Sequence, residues 1–182
     1  MKLSSVSAYL DGTLLREGDF YKLAFATEQE QTGFLTFLER EKFLPALCEN
    51  TGVSCVLCTP ELADLIPERL GVFVCRRPKA ALFTIHNALS KDEAYVGPSF
   101  PTRIGKNCNI SPLSVIPERN VIIGSDVTIE PFVVIKGRVT IKDHTVIHSG
   151  ATIGCKGFSF SADKRGEHQS VIDTAQIVIE ER

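Results

Sequence analysis

The sequence contains no tryptophan, a single methionine and no apolar run approaching the roughly 20 residues of a membrane-spanning helix. Its charges nearly balance, since 20 Lys and Arg face 22 Asp and Glu, whereas proteins that bind nucleic acid through phosphates are usually basic. The start, Met1-Lys2-Leu3-Ser4, lacks the apolar core of a secretory signal. With 182 residues, 43% of them hydrophobic, we expect a soluble cytoplasmic protein of one or two domains.

Six cysteines are present, but their spacing predicts neither a metal site nor a disulfide framework. Cys55 and Cys58 lie in the apolar run Val53–Thr59, and residues three apart on a strand point to opposite faces. No second Cys-x-x-Cys and no histidine pair completes a set of metal ligands. We therefore predict no metal site and buried thiols that pack as small hydrophobic side chains, with a redox or zinc role as the alternative.

The C-terminal half carries an isoleucine at every sixth position, interrupted by one shift of a single residue. The column consists of Ile104, Ile110, Ile116, Ile123, Ile129, Ile135, Ile141, Ile147 and Ile153. In most units the residue four positions further on is small or β-branched, for example Cys108, Val127 and Ala151. A fixed period of this kind indicates an internal repeat.

A period of six suits a short strand followed by a corner. Three such units make a coil of about 18 residues, and successive coils stack about 4.8 Å apart as parallel strands. The pattern predicts a solenoid of parallel β-structure in which the isoleucine column fills the interior. The alternative, a sandwich of alternating strands, requires a period of two, which this column disfavours.

The N-terminal half predicts a small α/β domain at residues 1–92, joined through a linker at 93–103 to the repeat domain at 104–182. Strand candidates are Thr13–Leu15, Lys22–Ala26, Val53–Cys58 and Leu70–Cys75, and Phe34–Leu38 is a further apolar run. Helix candidates are Leu3–Leu10, Glu39–Cys48, a segment that starts at Thr59-Pro60-Glu61, and Pro78–Leu89. The linker is recognised by its charge and by Gly97 and Pro98.

The repeat resembles the hexapeptide of left-handed parallel β-helix acyltransferases, and the left hand is implied by that resemblance. Together with the α/β half, the layout resembles LpxD-type enzymes, the UDP-3-O-acylglucosamine N-acyltransferases of lipid A synthesis. The run Leu35-Thr36-Phe37-Leu38-Glu39-Arg40-Glu41-Lys42-Phe43-Leu44 is similar to that family's L-S-F-L-x-N-P-K-Y-L. The runs 147–154 and 157–160 are similar to its hSGavIGxxGFgF.

The resemblance implies a uridine site in the N-terminal half, in which two aromatic rings hold the base. Those rings are Phe37 and Phe43, and Arg40 stands where the family has asparagine. An arginine there is able to donate hydrogen bonds or to pair with phosphate. The alternative is that Phe37 and Phe43 pack a helix onto the sheet.

The resemblance also implies transfer of an acyl group from an acyl-carrier-protein thioester to a sugar amine, with a histidine as the base. The family's histidine lies in a later coil, in a run like I-A-H-N that this chain does not contain. Of the four histidines, His86 falls in a predicted helix, His168 in a polar loop, and His144 points outward from its repeat. His148, at a coil corner, is the remaining candidate for the catalytic base, and a surface or corner residue is the other interpretation.

A loop after the hexapeptides departs from the repeat. In the resemblance it lies near the acceptor or acyl cleft, so Gly157, Phe158 and Phe160 are assigned to an acyl or acceptor loop, with packing against the coil as their alternative role. The family further implies a homotrimer, a UDP-sugar and an acyl carrier protein as partners, and no bound cofactor.

Two other functions stay open. One is an acetyl-CoA-dependent sugar acetyltransferase of surface polysaccharide synthesis. The other is a non-catalytic binding or scaffold protein that lacks the catalytic coil. Because a new coil begins at Ile177-Val178-Ile179-Glu180, we expect the repeat domain to be incomplete at its C-terminal end.

Overall fold

A computed structural model describes residues 1–157, 159–162 and 168–181, which form two compact units. The first unit comprises Met1–Tyr95 and Phe158–Ile172, and the second comprises Val96–Gly157 and Asp173–Arg182. The sequence had assigned the segment Phe158–Ile172 to the repeat domain. It counts with the first unit because its backbone is bonded to a helix of that unit.

The strands of the first unit form one five-stranded sheet. They are Thr13–Arg16 (β1), Lys22–Leu23 (β2), Phe34–Leu38 (β3), Val53–Cys58 (β4) and Gly71–Val74 (β5). The last four are parallel and lie side by side in chain order, while β1 pairs with β5 antiparallel. The carboxyl ends of four strands therefore meet at one edge of the sheet.

The helices of the first unit are short, with one exception. The 3₁₀ helices are Leu3–Ala8, Glu41–Phe43 and Pro60–Leu65, and the α-helices are Leu44–Glu49 (α1), Pro78–Leu89 (α2) and Glu93–Val96 (α3). The predicted bounds of β4 and α2 are confirmed. The helix predicted from Glu39 begins later because Arg40 is extended, with φ −139°.

Two apolar clusters cover the two faces of this sheet. The α2-side cluster joins Leu35, Cys55 and Phe73 to Leu82 and Ile85 of α2. The α1-side cluster contains Phe34, Leu38, Val56, Cys58 and, from α1, Leu47. Cys55 and Cys58 thus lie on opposite faces, as the alternation of a strand requires.

The strands of the second unit are two to four residues long. They are Arg103–Ile104 (β6), Asn109–Ile110 (β7), Val121–Ile123 (β8), Thr128–Ile129 (β9), Val134–Ile135 (β10), Arg138–Ile141 (β11), Val146–Ile147 (β12) and Thr152–Ile153 (β13). Two further strands, Phe160–Ala162 (β14) and His168–Ser170 (β15), form an antiparallel hairpin in the first unit, and Gln176–Ile179 (β16) belongs to the second.

Parallel pairing orders the second unit into three ladders, β6-β8-β11-β16, β7-β9-β12 and β10-β13. The register pairs equivalent isoleucines, for example Ile123 with Ile141 and Ile129 with Ile147. All three ladders contribute to one core cluster, in which Ile129 and Ile141 are fully buried. This burial confirms the predicted interior column from Ile123 to Ile147. Ile110, Ile116 and Ile153 are partly buried against the same cluster. Ile104 is 54% exposed because β6 is the first strand of its ladder.

Two side chains of α2 form hydrogen bonds with backbone groups at the end of the hairpin. The side-chain amide of Asn87 donates to the carbonyl of Ser170 at 2.9 Å, and its oxygen accepts the N–H of Ile172 at 2.9 Å. Nε2 of His86 lies 2.6 Å from the carbonyl of Ile172, and its Nδ1 lies 3.1 Å from the Tyr95 hydroxyl. Since a carbonyl only accepts, His86 donates from Nε2 and accepts from Tyr95 at Nδ1.

Among the described residues, no helix is both long and apolar enough to cross a membrane.

Candidate functional site

The predicted nucleotide residues follow the carboxyl end of β3. Phe37 is half-buried within β3, where it packs on the α2-side cluster. Arg40 is exposed, and Phe43, which ends the following 3₁₀ helix, is 48% exposed. The alternative role as helix-packing residues therefore suits Phe37 in part and suits Phe43 poorly.

A third aromatic ring stands beside Phe37. The rings of Phe25 and Phe37 meet edge to face, with centroids 5.9 Å apart and planes inclined by 77°. Phe25 is 54% exposed, and the ammonium of Lys42 lies 4.9 Å from the centre of the Phe43 ring. Partly exposed aromatic rings with a cation beside one of them suit a planar, anionic ligand.

Glu39 ties this segment to the start of α2. Its Oε1 accepts the backbone N–H of Lys79 at 2.9 Å. That N–H lies in the first turn of α2, where it has no partner within the helix. This hydrogen bond fixes residues 37–43, which we call the aromatic segment, against the start of α2.

In the second unit, the strand register brings His148 to Glu130. Each follows an isoleucine, and Ile129 pairs with Ile147 in the parallel ladder, so the next residues lie side by side. Oε1 of Glu130 is 3.2 Å from Nδ1 of His148. Its Oε2 accepts the backbone N–H of Ser149 at 2.8 Å and the Ser149 hydroxyl at 3.0 Å.

These bonds set the chemistry of the Glu130–His148 pair. The Ser149 backbone N–H, then the Ser149 hydroxyl and His148, hold the pKa of Glu130 below its usual range. A carboxylate that accepts from Nδ1 selects the tautomer in which Nε2 is a base. The His148 side chain is 80% exposed, and no described residue bonds its Nε2.

Sequence reasoning selected His148 as the candidate base and did not select its neighbour Glu130 or Phe25. Glu130 had a signal, because it stands one coil of 18 residues before His148, and equivalent positions of successive coils stack. Phe25 follows a strand of only two residues and has no comparable signal.

Of the predicted acyl-loop residues, Gly157 precedes the hairpin in the chain and Phe160 is the first residue of its strand β14. The backbone N–H of Gly157 donates to the Asp173 carboxylate, and Phe160, in β14, is 51% exposed. Phe158 lies outside the described residues, as do residues 163–167.

The remaining histidines and the thiols carry less chemistry. His144 and His168 are exposed, and the described residues contain no group of three His, Cys, Asp or Glu side chains arranged to hold a metal ion. Burial raises the pKa of the Cys58 and Cys75 thiols to about 11, so both are protonated near neutral pH.

Comparison with known proteins adds the family context. A family model described as bacterial transferase hexapeptide (six repeats) matches residues 120–155. Curated proteins named UDP-3-O-acylglucosamine N-acyltransferase from Coxiella burnetii strains Dugway 5J108-111, RSA 331 / Henzerling II and RSA 493 / Nine Mile phase I are each 27% identical over 204 aligned positions. The alignments cover 97% of this chain and 58% of each relative, so the chain spans little more than half their length.

Proposed function

Since the chain is LpxD-like and carries hexapeptide repeats, we propose that it is an acyltransferase of nucleotide-sugar metabolism. The acyl group moves from an acyl-carrier-protein thioester to the amine of a UDP-linked amino sugar, in the synthesis of lipid A or a related surface glycan. The observation that carries the proposal is a similarity that runs through both units rather than through the repeats alone.

The proposal extends to architecture and setting. The three ladders that share one core form the sides of a left-handed parallel β-helix, which follows a nucleotide-binding α/β domain. In this proposal the protein acts in the cytoplasm and assembles as a homotrimer. No cofactor is needed, because the thioester supplies its own leaving group.

In this proposal the first unit binds the nucleotide. Phe37 and Phe43 flank the uracil, and Arg40 contacts the base edge or a phosphate. Phe25 supports the Phe37 ring, whose edge-to-face contact fixes its orientation. The half-exposed state of these rings supports the assignment, because rings that served only the core would be buried.

The second unit supplies the base. Nε2 of His148 takes a proton from the sugar amine while the nitrogen attacks the thioester carbonyl, and backbone N–H groups stabilise the oxyanion. The carbon–sulfur bond then breaks, and the imidazolium returns the proton to the departing thiolate. Glu130 orients the ring and stabilises its charged form throughout. Gly157, Phe158 and Phe160 form the loop that receives the acyl chain or the acceptor.

A second candidate keeps the fold and takes acetyl-CoA as donor in surface polysaccharide synthesis. The exposed guanidinium of Arg40 favours keeping it, because arginine replaces the residue that would read uracil and pairs well with phosphate instead. A non-catalytic binding or scaffold role is the remaining alternative.

Calorimetric titration with UDP, UDP-GlcNAc and acetyl-CoA tests the proposal. We expect UDP and UDP-GlcNAc to bind, and Phe43→Ala to weaken both by roughly tenfold, since stacking on a base contributes about 1–3 kcal/mol. Tyr21→Ala is the control, because Tyr21 is 71% exposed and lies outside the motif. Binding of acetyl-CoA without UDP would favour the second candidate.

The chemical step is tested by transfer of a labelled acyl group from acyl carrier protein to a UDP-amino sugar. We expect His148→Asn to lower the rate by 10²- to 10⁴-fold, the usual contribution of a general base. His144→Asn is the matched control, since His144 is an exposed histidine of the same repeats and asparagine tolerates its left-handed backbone, with φ 58°. Equal rates in the wild type and His148→Asn would remove His148 from the mechanism.

A further inference from the structure

A cleft of about 520 Å³ opens in the first unit, and its lining includes none of Phe25, Phe37, Arg40 and Phe43. Its lining includes the loop Tyr9–Thr13, Val74 and Cys75 at the end of strand β5, and Arg76, Arg77 and Ala80 around the start of α2. The volume falls in the range of sites for small organic ligands.

The cleft lies where a parallel sheet receives ligands. Strand β5 ends at Val74 and strand β4 ends at Cys58, two residues before Pro60, and both Val74 and Pro60 line the cleft. The crevice outside the carboxyl ends of parallel strands is the usual ligand position in such sheets.

The lining combines apolar walls with positive charge. Two arginines and one carboxylate, Asp11, leave an excess of one positive charge in a protein whose net charge is −2. Because burial keeps the Cys75 thiol protonated, that residue serves as an apolar wall and not as a nucleophile.

The two arginines stand directly before α2, in the run Arg76-Arg77-Pro78-Lys79. Glu39 already accepts the Lys79 N–H, so the recognition of an anion falls to the guanidinium groups. Arg76 is exposed and has no hydrogen-bond or ion-pair partner among the described residues, whereas Arg77 takes part in an interaction of its own. Arg76 is therefore the group most available to a ligand.

We propose that this cleft binds a phosphate-bearing small molecule, with Arg76 as the main phosphate contact, Arg77 beside it, and the apolar walls against the less polar body. Guanidinium groups match phosphate geometry and form charge-assisted hydrogen bonds with it. Two ligands of the proposed function share this chemistry, the diphosphate of a nucleotide sugar and the phosphopantetheine arm of a carrier or of CoA. The phosphate site itself does not depend on which of them is used.

The test compares each phosphorylated ligand with its unphosphorylated counterpart, UDP with uridine and 4′-phosphopantetheine with pantetheine, by calorimetry at low salt. We expect Arg76→Gln to weaken binding of one phosphorylated ligand by roughly tenfold, as loss of a charge-assisted contact implies, and to leave its counterpart unchanged. Lys91→Gln makes the same charge change at an exposed site beyond α2 and should alter neither. Amide shifts of Gly12, Thr13 and Ala80 on titration would place the ligand in the cleft.

The outcomes separate the two sources. If Arg76→Gln weakens the binding of UDP alone, the cleft holds the nucleotide diphosphate. If it weakens the binding of 4′-phosphopantetheine alone, the cleft holds the carrier arm. The proposal is overturned if no phosphorylated ligand binds the wild type at millimolar concentration, or if Arg76→Gln and the double variant Arg76→Gln/Arg77→Gln bind as the wild type does. Failure of acyl transfer with intact, Arg76-dependent binding would count against the proposed function and not against this site.

Discussion

The hydrophobic cores of the two units are built in different ways. The first unit divides its core between two faces of one sheet and relies on large residues such as Phe20, Phe34 and Phe73. The second has one cluster, built almost wholly of isoleucine and valine at equivalent positions of successive coils. Each core position of the first unit therefore has its own surroundings, whereas core positions of the second unit recur in equivalent surroundings from coil to coil. Substitutions in the two cores should show this difference.

The largest effect is expected at Phe73, which is 1% exposed in the α2-side cluster. Phe73→Ala should lower the free energy of unfolding of the first unit by about 3–5 kcal/mol, because it removes a large ring and leaves a cavity. Urea unfolding combined with residue-resolved hydrogen exchange would measure the loss and assign it to the first unit. Loss of protection in the second unit alone would contradict this expectation.

In the second unit, isoleucine-to-alanine substitutions at two separate positions test whether stacking forms the core. Ile129 is 1% exposed and Ile104 is 54% exposed, although both belong to the isoleucine column. Ile129→Ala should cost roughly 2–4 kcal/mol and Ile104→Ala less than about 0.5 kcal/mol. The description of a core formed by stacking fails if the two variants unfold at the same urea concentration.

Two glycines with the same backbone conformation separate strain from crowding. Gly150 and Gly154 both have φ +79°, but an added Cβ meets nothing within 4 Å at Gly150, whereas at Gly154 it collides with the carbonyl oxygen of Lys136. Gly150→Ala should cost about 1 kcal/mol from left-handed strain alone, and Gly154→Ala roughly 2–3 kcal/mol. Thermal unfolding of both variants gives the difference, and equal melting temperatures would show that crowding contributes nothing.

The smallest effect concerns Glu130 and depends on pH. Its pKa is lowered in the folded state by the Ser149 N–H, so its contribution to stability is complete above the ordinary carboxyl pKa and is lost as the pH falls through the lowered value. Glu130→Gln should flatten the stability profile on this acidic side. Urea midpoints measured between about pH 3 and pH 7 would detect it. A wild type and variant with parallel profiles would mean that the bonds to Ser149 do not form in solution.

The same contrast decides how much the sequence could predict. The isoleucine column identified the core of the second unit because one rule repeats, and even its exception, Ile104, has a simple cause at the edge of a ladder. In the first unit, Val53–Cys58 and Pro78–Leu89 were predicted to the residue, since β-branched enrichment and an initial proline are strong local signals. The predicted helix at Glu39–Cys48 was too long because the extended backbone at Arg40 has no local signal.

The site residues were harder to predict than the fold, because a site depends on contacts between distant parts of the chain. His148 could be selected as a histidine at a coil corner, but pairing it with Glu130 requires knowing that positions 18 residues apart stack in register. The Arg76–Arg77 pair looks like ordinary surface charge in the sequence, because the loop Tyr9–Thr13 that lines the same cleft lies more than 60 residues earlier. Phe25 meets Phe37 only once β2 and β3 have paired.

The hydrogen bonds between α2 and the hairpin have a consequence for synthesis on the ribosome. The backbone groups that bond His86 and Asn87 lie 86 and 83 residues later in the chain, so they are synthesised after α2. At about 5–20 residues per second, translation needs roughly 4–17 s to deliver them. Until then the side chains of His86 and Asn87 lack these partners, so the last contacts of the first unit form only after the segment 168–172 has been made.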